Sequence, residues 1–140
     1  MSTIVTRSGK GSPLTHTELD ANFTNLNSDK AGYIAGEGGV VTQATSKATG
    51  VTLSKRCGQI TMNGAALAAA TTVSFVVTNS LVAATDIVVL NHVSTGTFGS
   101  YTLNARAAAG SFTIDVRNVS AGSLSEAIVI GFAVIKAATT

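Results

Sequence analysis

Cysteine, tryptophan, proline and charge are all scarce in this chain. A single cysteine, Cys57, excludes an internal disulfide and fits folding in a reducing cytosol. Only 11% of the 140 residues are charged, well below the usual quarter of a soluble protein. Nine basic residues against seven acidic ones leave a net charge of +2, and no Lys/Arg run extends beyond Lys55-Arg56. With five Phe, two Tyr and no Trp to stack on bases, the chain carries no nucleic-acid footprint. The N-terminal MSTIVTRSGKGSP lacks the apolar core of a secretory signal. The longest apolar run, AIVIGFAVI at 127–135, is too short to cross a bilayer as a helix. The expectation is a chain with neither a nucleic-acid nor a membrane partner.

The residues of catalysis are present but not grouped. Two distant histidines, His16 and His92, and one cysteine give no metal-ligand spacing. Lys55-Arg56 beside Cys57 favours a thiolate, yet a nucleophile also needs a base and an orienting group. Cys57 reads better as a small buried residue at a strand start. SGKGS at 8–12 lacks the G-x-x-x-x-G-K-[ST] spacing of a phosphate loop, and no G-x-S-x-G elbow occurs. Asp86, Asp115 and Glu126 fall in different predicted strands, so no acid–base pair is visible. NFT at 22–24 and NVS at 118–120 match a glycosylation sequon that has no meaning without secretion. The expectation is no catalytic, cofactor-binding or metal site, hence no enzyme.

Hydrophobic residues make up 45% of the chain, enough for the core of one domain. Surface polarity comes instead from 20 Thr and 14 Ser, and β-branched threonine suits a pleated, half-exposed surface. Charge is uneven: Arg7, Lys10, Glu18, Asp20, Asp29, Lys30 and Glu37 all lie within the first 40 positions. This divides the chain into an N-terminal arm and helix over 1–31, a Gly-rich linker over 32–39, and a β body over 40–140.

In the first part, Thr15 and Glu18 match a capping box, S/T-x-x-E. Leu14 and Leu19 fit a hydrophobic staple, and Leu19, Phe23 and Leu26 recur at helical spacing on one face. A helix of this length is marginal alone in water, so its apolar face must pack on something.

In the body, strands are predicted near 40–43, 50–54, 59–62, 72–78, 85–93, 100–106, 111–118 and 126–136. Tyr101, Leu103 and Ala105 share one face of their strand. Phe112, Ile114 and Val116 share another, opposite Thr113, Asp115 and Arg117. Such alternation belongs to antiparallel sheets with one wet face. The last strand is apolar on both faces, which suits a central strand or one covered by a partner. NGAALAAAT at 63–71 reads as either one helical turn or a loop. Eight short strands with little room for crossover helices predict an all-β fold, an antiparallel sandwich, jelly roll or barrel.

Two stretches carry a resemblance. GSPLTHTELDANFTNLN resembles a segment near the start of many structural proteins of tailed bacteriophages, where it joins a virion-attaching end to a β-rich body. The tract from GVTLSKRCGQITM through VSFVVTNS and ATDIVVLNH to SFTIDVRNVSAGSLSEAIVIGFAVIKA resembles a β domain recurring in phage virion proteins. At this length, with one such domain, the chain is similar to the jelly-roll capsid cementing (decoration) proteins of tailed phages. The resemblance implies a jelly-roll body that binds the outer surface of the capsid and bridges neighbouring major capsid subunits. It also implies dimers or trimers of the protein. The gripping element is then the arm and helix, with Ile4, Arg7, Lys10, Leu14, Leu19, Phe23 and Leu26 as the candidate interface. The alternating STIVTRS at 2–8 suits a strand added to a neighbour's sheet edge. Alternatively, arm and helix close the bottom of their own sandwich. The same modules occur in fibres, so a small tail- or head-fibre component binding a host receptor or glycan is the other expectation.

Overall fold

The computed structural model of the chain describes residues 4–28 and 36–137, with the side chains of 26–28 left undescribed. Two helices precede eight strands: α1 (Arg7–Lys10), α2 (His16–Ser28), β1 (Val40–Thr42), β2 (Val51–Thr52), β3 (Cys57–Thr61), β4 (Thr72–Thr78), β5 (Ile87–Ser94), β6 (Tyr101–Ala108), β7 (Ser111–Asn118) and β8 (Val129–Ile135). Each predicted strand is present, and β4 and β7 have the predicted bounds.

The strands form two four-stranded sheets, ordered β1-β3-β8-β5 and β2-β4-β7-β6, packed as an all-β sandwich. The chain alternates between the sheets through its first six strands. Because β2 lies in the opposite sheet, β1 and β3 run the same way and pair in parallel, as do β2 and β4. The other pairings are antiparallel.

The core follows from alternation. Phe112, Ile114 and Val116 of β7 are fully buried, and Phe75 and Val77 of β4 stand beside them. Ile60 of β3 and Ile130, Phe132 and Val134 of β8 face them from the other sheet. The Phe112 and Phe132 rings meet at 5.1 Å between centroids, joining the layers. Each such side chain removed from water contributes about 1.5–3 kcal/mol. As expected of a strand apolar on both faces, β8 is central, between β3 and β5.

NGAALAAAT forms a loop, with one bridge between Leu67 and Leu124 and a turn ending at Ala70. Ala70 adopts φ +55, which no helical turn accommodates. Buried Asn118 holds this corner by donating to the carbonyls of Leu67, Ala68 and Gly122. At the opposite margin Asp86 is buried and accepts from Ala83 N–H, Lys136 Nζ and Ala137 N–H. Burial alone would raise its carboxyl pKa, but these donors outweigh burial and hold it below the usual range.

Candidate functional site

The outer faces of the two sheets differ in kind. On β2-β4-β7-β6 the outward positions carry mostly Thr, Ser, Asn and charge, with Val76 and Ala108 among them. Asp115 accepts from Ser74 Oγ at 2.6 Å and from Arg106 Nη2 at 3.0 Å. On β1-β3-β8-β5 every outward position is uncharged. Val40 is 80% exposed and Val89 49%, with Ile87 and Ile135 also exposed. A shallow groove of about 740 Å³ runs across this face over β3 and β8.

Glycine shapes the groove floor. A Cβ on Gly131 would stand 2.3 Å from Asn91 Oδ1 and 2.8 Å from Val93 Cγ2, because the β5 side chains lean across it. Only a residue without a side chain fits there. Cys57 also lines the groove. It begins β3, as expected, but points to the outer face and is half-buried, not a core residue. The cause is register: inward Ile60 puts Cys57 and Gln59 on the outer side.

The N-terminal unit builds itself from local capping. Thr15 N–H donates to Glu18 Oε2 at 2.8 Å and Glu18 N–H donates to Thr15 Oγ1 at 3.2 Å, the reciprocal pair the sequence predicted. Lys10 Nζ adds a third donor at 2.5 Å. Lys10 and the Thr15 N–H together hold the Glu18 carboxyl at about 2, against its ordinary 4.5. Upstream, Thr6 caps α1 through Gly9 N–H, and Gly11 ends it at φ 72. The arm is pinned to α2 by one amide: Val5 N–H donates to Asn22 Oδ1, and Asn22 Nδ2 donates to Val5 O. Val5 N–H is thereby taken, and Arg7 and Ser8 of the predicted 2–8 strand lie in α1, so the described part of that segment is not a free strand for a neighbour's sheet edge.

The predicted interface residues fall as follows. Ile4, Arg7 and Lys10 are exposed and Leu14 is half-buried. Leu19 is 43% exposed and Phe23 65%. Leu26 lies in α2, with its side chain outside the described residues, as is the first half of the predicted linker, 32–35, which includes Tyr33. Among the described residues neither helix packs along a strand. The linker's end is part of the body: Gly38 and Gly39 line the groove, and Lys55 Nζ donates to Gly36 O.

A second cluster lies at the end of β5, where His92 precedes a bulge. His92 stacks on Phe98 at 4.3 Å and meets the Tyr101 ring edge-on at 6.0 Å. Its Nε2 lies 2.6 Å from Thr95 O. Glu126 accepts from Thr97 Oγ1, Thr97 N–H and Tyr101 OH, which lower its carboxyl pKa. Burial and that same carboxylate raise the Tyr101 phenol. Lys47 Nζ donates to the carbonyls of Asn63 and Glu126, and burial lowers its ammonium pKa. Thus Asp86, Asp115 and Glu126 stand apart, each held by donors of its own.

Sequence reasoning missed the apolar outer face and the His92–Phe98–Tyr101 stack. The first was signalled in part by β8, whose outward residues are as apolar as its inward ones. The second had no periodic signal, since Phe98 sits in a loop. No protein-family model, curated protein or solved structure matches this chain.

Proposed function

We propose that this is a structural virion protein that binds the outer surface of a phage capsid and cements neighbouring major capsid subunits. The observation that carries the reading is the uncharged outer face of β1-β3-β8-β5 with its exposed Val40, Ile87, Val89 and Ile135, on a chain whose other outer face carries charge. Contiguous exposed apolar surface belongs to molecules that work in contact with other proteins. The exposed Leu19 and Phe23 of α2 supply a second adhesive surface, and a cement needs two, one for the shell and one for a neighbour. The resemblance of GSPLTHTELDANFTNLN and of the strand tract to phage virion modules supplies the partner, the major capsid protein.

In this reading the protein is not an enzyme. It is made in the host cytoplasm and acts on the outside of the virion. Packaged DNA pushes outward on the shell. Each bound copy adds binding free energy that rupture must overcome, and many weak bridges act together by avidity. The jelly-roll assignment belongs to the proposal as well. Eight strands in two four-stranded sheets and the alternation between them favour it, while the parallel β1–β3 and β2–β4 pairs depart from an all-antiparallel sandwich.

The test is co-sedimentation with bare capsids. The full chain is expected to bind and to raise the temperature at which particles release DNA. A chain lacking residues 1–30 is expected to stay folded and bind weakly. A folded truncation that binds at full strength would refute the gripping role of the arm and helix.

The fibre reading is favoured by one observation, the exposed Phe98 ring stacked on His92, since exposed aromatics are what sugars stack on. Saturable binding of a host glycan, lost in Phe98→Ala, would support it over cementing.

A further inference from the structure

Three asparagines of this chain fold back over the peptide that follows them. Asn63 Oδ1 accepts from Ala65 N–H at 2.9 Å, Asn79 Oδ1 from Leu81 N–H at 3.0 Å, and Asn118 Oδ1 from Ser120 N–H at 2.9 Å. Each turn brings a side-chain amide carbon near the main-chain nitrogen of the next residue. Two of the three are closed to chemistry. Asn79 and Asn118 are fully buried, and the nitrogens after them are engaged: Ser80 N–H donates to Ser54 Oγ and Val119 N–H to Ser100 O. Asn63 is only half-buried, and Gly64 N–H donates to nothing among the described residues. Asn63 is also the one asparagine of the chain that precedes a glycine. We infer that Asn63–Gly64 is a self-modification site, where the Gly64 nitrogen displaces the Asn63 side-chain amide as ammonia and leaves aspartate or isoaspartate. The inference does not rest on the capsid reading, since it involves only residues of this chain and water.

The step needs a nucleophilic nitrogen, a polarised carbonyl and room. Lys47 serves the first. It is buried, and its Nζ donates to Asn63 O at 2.7 Å. That oxygen belongs to the same peptide group as the Gly64 nitrogen. The ammonium therefore draws electron density from the group and stabilises the anion left when the N–H loses its proton. Ala65 N–H serves the second, because it already bonds Oδ1, the atom on which negative charge develops. Asn63 Nδ2 donates to Ala44 O at 3.0 Å, which keeps the amide turned with Oδ1 toward that donor. Glycine provides the third. A Cβ on Gly64 would meet nothing within 4 Å, and residues 64–66 are exposed, so water reaches the site.

The atoms balance without a redox partner. Hydroxide or water takes the Gly64 amide proton and the nitrogen bonds to Asn63 Cγ. The Cγ–Nδ2 bond then breaks as the amine takes up a proton and leaves as ammonia. Water opens the cyclic imide at either carbonyl. Opening at Cγ gives aspartate, and opening at the main-chain carbon gives isoaspartate, with the chain rerouted through Cγ. Water enters, ammonia leaves, and a neutral amide becomes a carboxylate. In the unmodified chain both acceptors of Lys47 Nζ are main-chain carbonyls, of Asn63 and Glu126. The product places a carboxylate on a residue this ammonium already contacts, so a buried charge gains a counter-charge.

The test follows the full chain, folded at neutral pH, by peptide mapping with mass spectrometry and an isoaspartate-specific methyltransferase assay. A short synthetic peptide carrying MNGAAL is the reference for an unstructured Asn-Gly pair. Asn63 is expected to convert at least as fast in the folded chain as in the peptide, while Asn79 and Asn118 stay intact. Gly64→Ala, which has room for its methyl group, should slow conversion by about tenfold with the strands unchanged by circular dichroism. Lys47→Met should slow it by about tenfold in the folded chain and not at all in urea, where position 47 no longer touches the peptide. A folded chain that converts more slowly than the peptide would overturn the inference. So would a folded Lys47→Met that converts at the wild-type rate. If Lys47→Met fails to fold, the comparison of folded chain with peptide decides alone.

Discussion

Threonine and valine have nearly the same shape, and this protein weights them differently on its two outer faces. The outer face of β2-β4-β7-β6 carries Thr72, Ser74, Thr102, Thr113, Asp115 and Arg117. The outer face of β1-β3-β8-β5 carries Val40, Ile87, Val89, Ala133 and Ile135, with the uncharged polar Thr42, Gln59, Thr61 and Asn91 between them. Both sets are rich in β-branched residues, so strand propensity does not distinguish them. The hydroxyl does, because it keeps a pleated surface wet at no cost to strand geometry. One outer face is thus rich in hydroxyls and charge, and the other has no charge at all. The interior does not share the asymmetry, since one set of aromatic and aliphatic side chains fills the space between both sheets.

The largest expected effect tests that shared interior. Phe112 belongs to the polar-faced sheet and touches Phe132 of the apolar-faced sheet. Phe112→Ala is expected to cost about 3–5 kcal/mol. Hydrogen-exchange protection should fall in both sheets together. Loss confined to β2-β4-β7-β6 would break the picture of one core serving two faces.

Much of this was legible in the sequence, for a physical reason. Residues of β4 and β7 alternate strictly between core and solvent, so their bounds at 72–78 and 111–118 could be read directly. The capping box of α2 was equally plain, because it depends on residues three apart. What escaped was long-range or conformational. The order of the sheets, including the parallel outer pairs, is set by two very short strands, β1 and β2, with little pattern of their own. Asn22 holding Val5 across 17 positions obeys no spacing rule. NGAALAAAT has the composition of a helix, but Ala70 and the Leu67–Leu124 bridge make it a loop. The burial of Cys57 was misjudged because a one-residue difference in register moves a side chain to the other face.

A smaller effect concerns α2. Thr15→Ala removes a cap and is expected to cost about 0.5–2 kcal/mol of helix stability. The same cap responds to pH. Glu18 is held at about 2 when folded, below its ordinary 4.5. Its contribution is therefore complete above about pH 5 and is lost as pH falls from there toward 2. The helical part of the circular dichroism signal should fade over that window in the wild type and hardly change in Glu18→Gln. Identical acid profiles for the two proteins would remove Glu18 as the cause.

The smallest expected effect on stability is the most telling for function. Val89 and Val76 are the same residue at nearly the same exposure, 49% and 46%, on opposite outer faces. Each is replaced by Asp, and saturation binding of each variant to bare capsids is measured alongside the wild type. Surface changes of this kind are expected to alter stability by no more than about 0.5 kcal/mol. Val89→Asp should lose binding by about tenfold or more, the effect of burying a charge without a partner in the interface, while Val76→Asp should bind as the wild type does. Equal binding by the two variants, or loss confined to Val76→Asp, would contradict the assignment of the apolar face as the adhesive one.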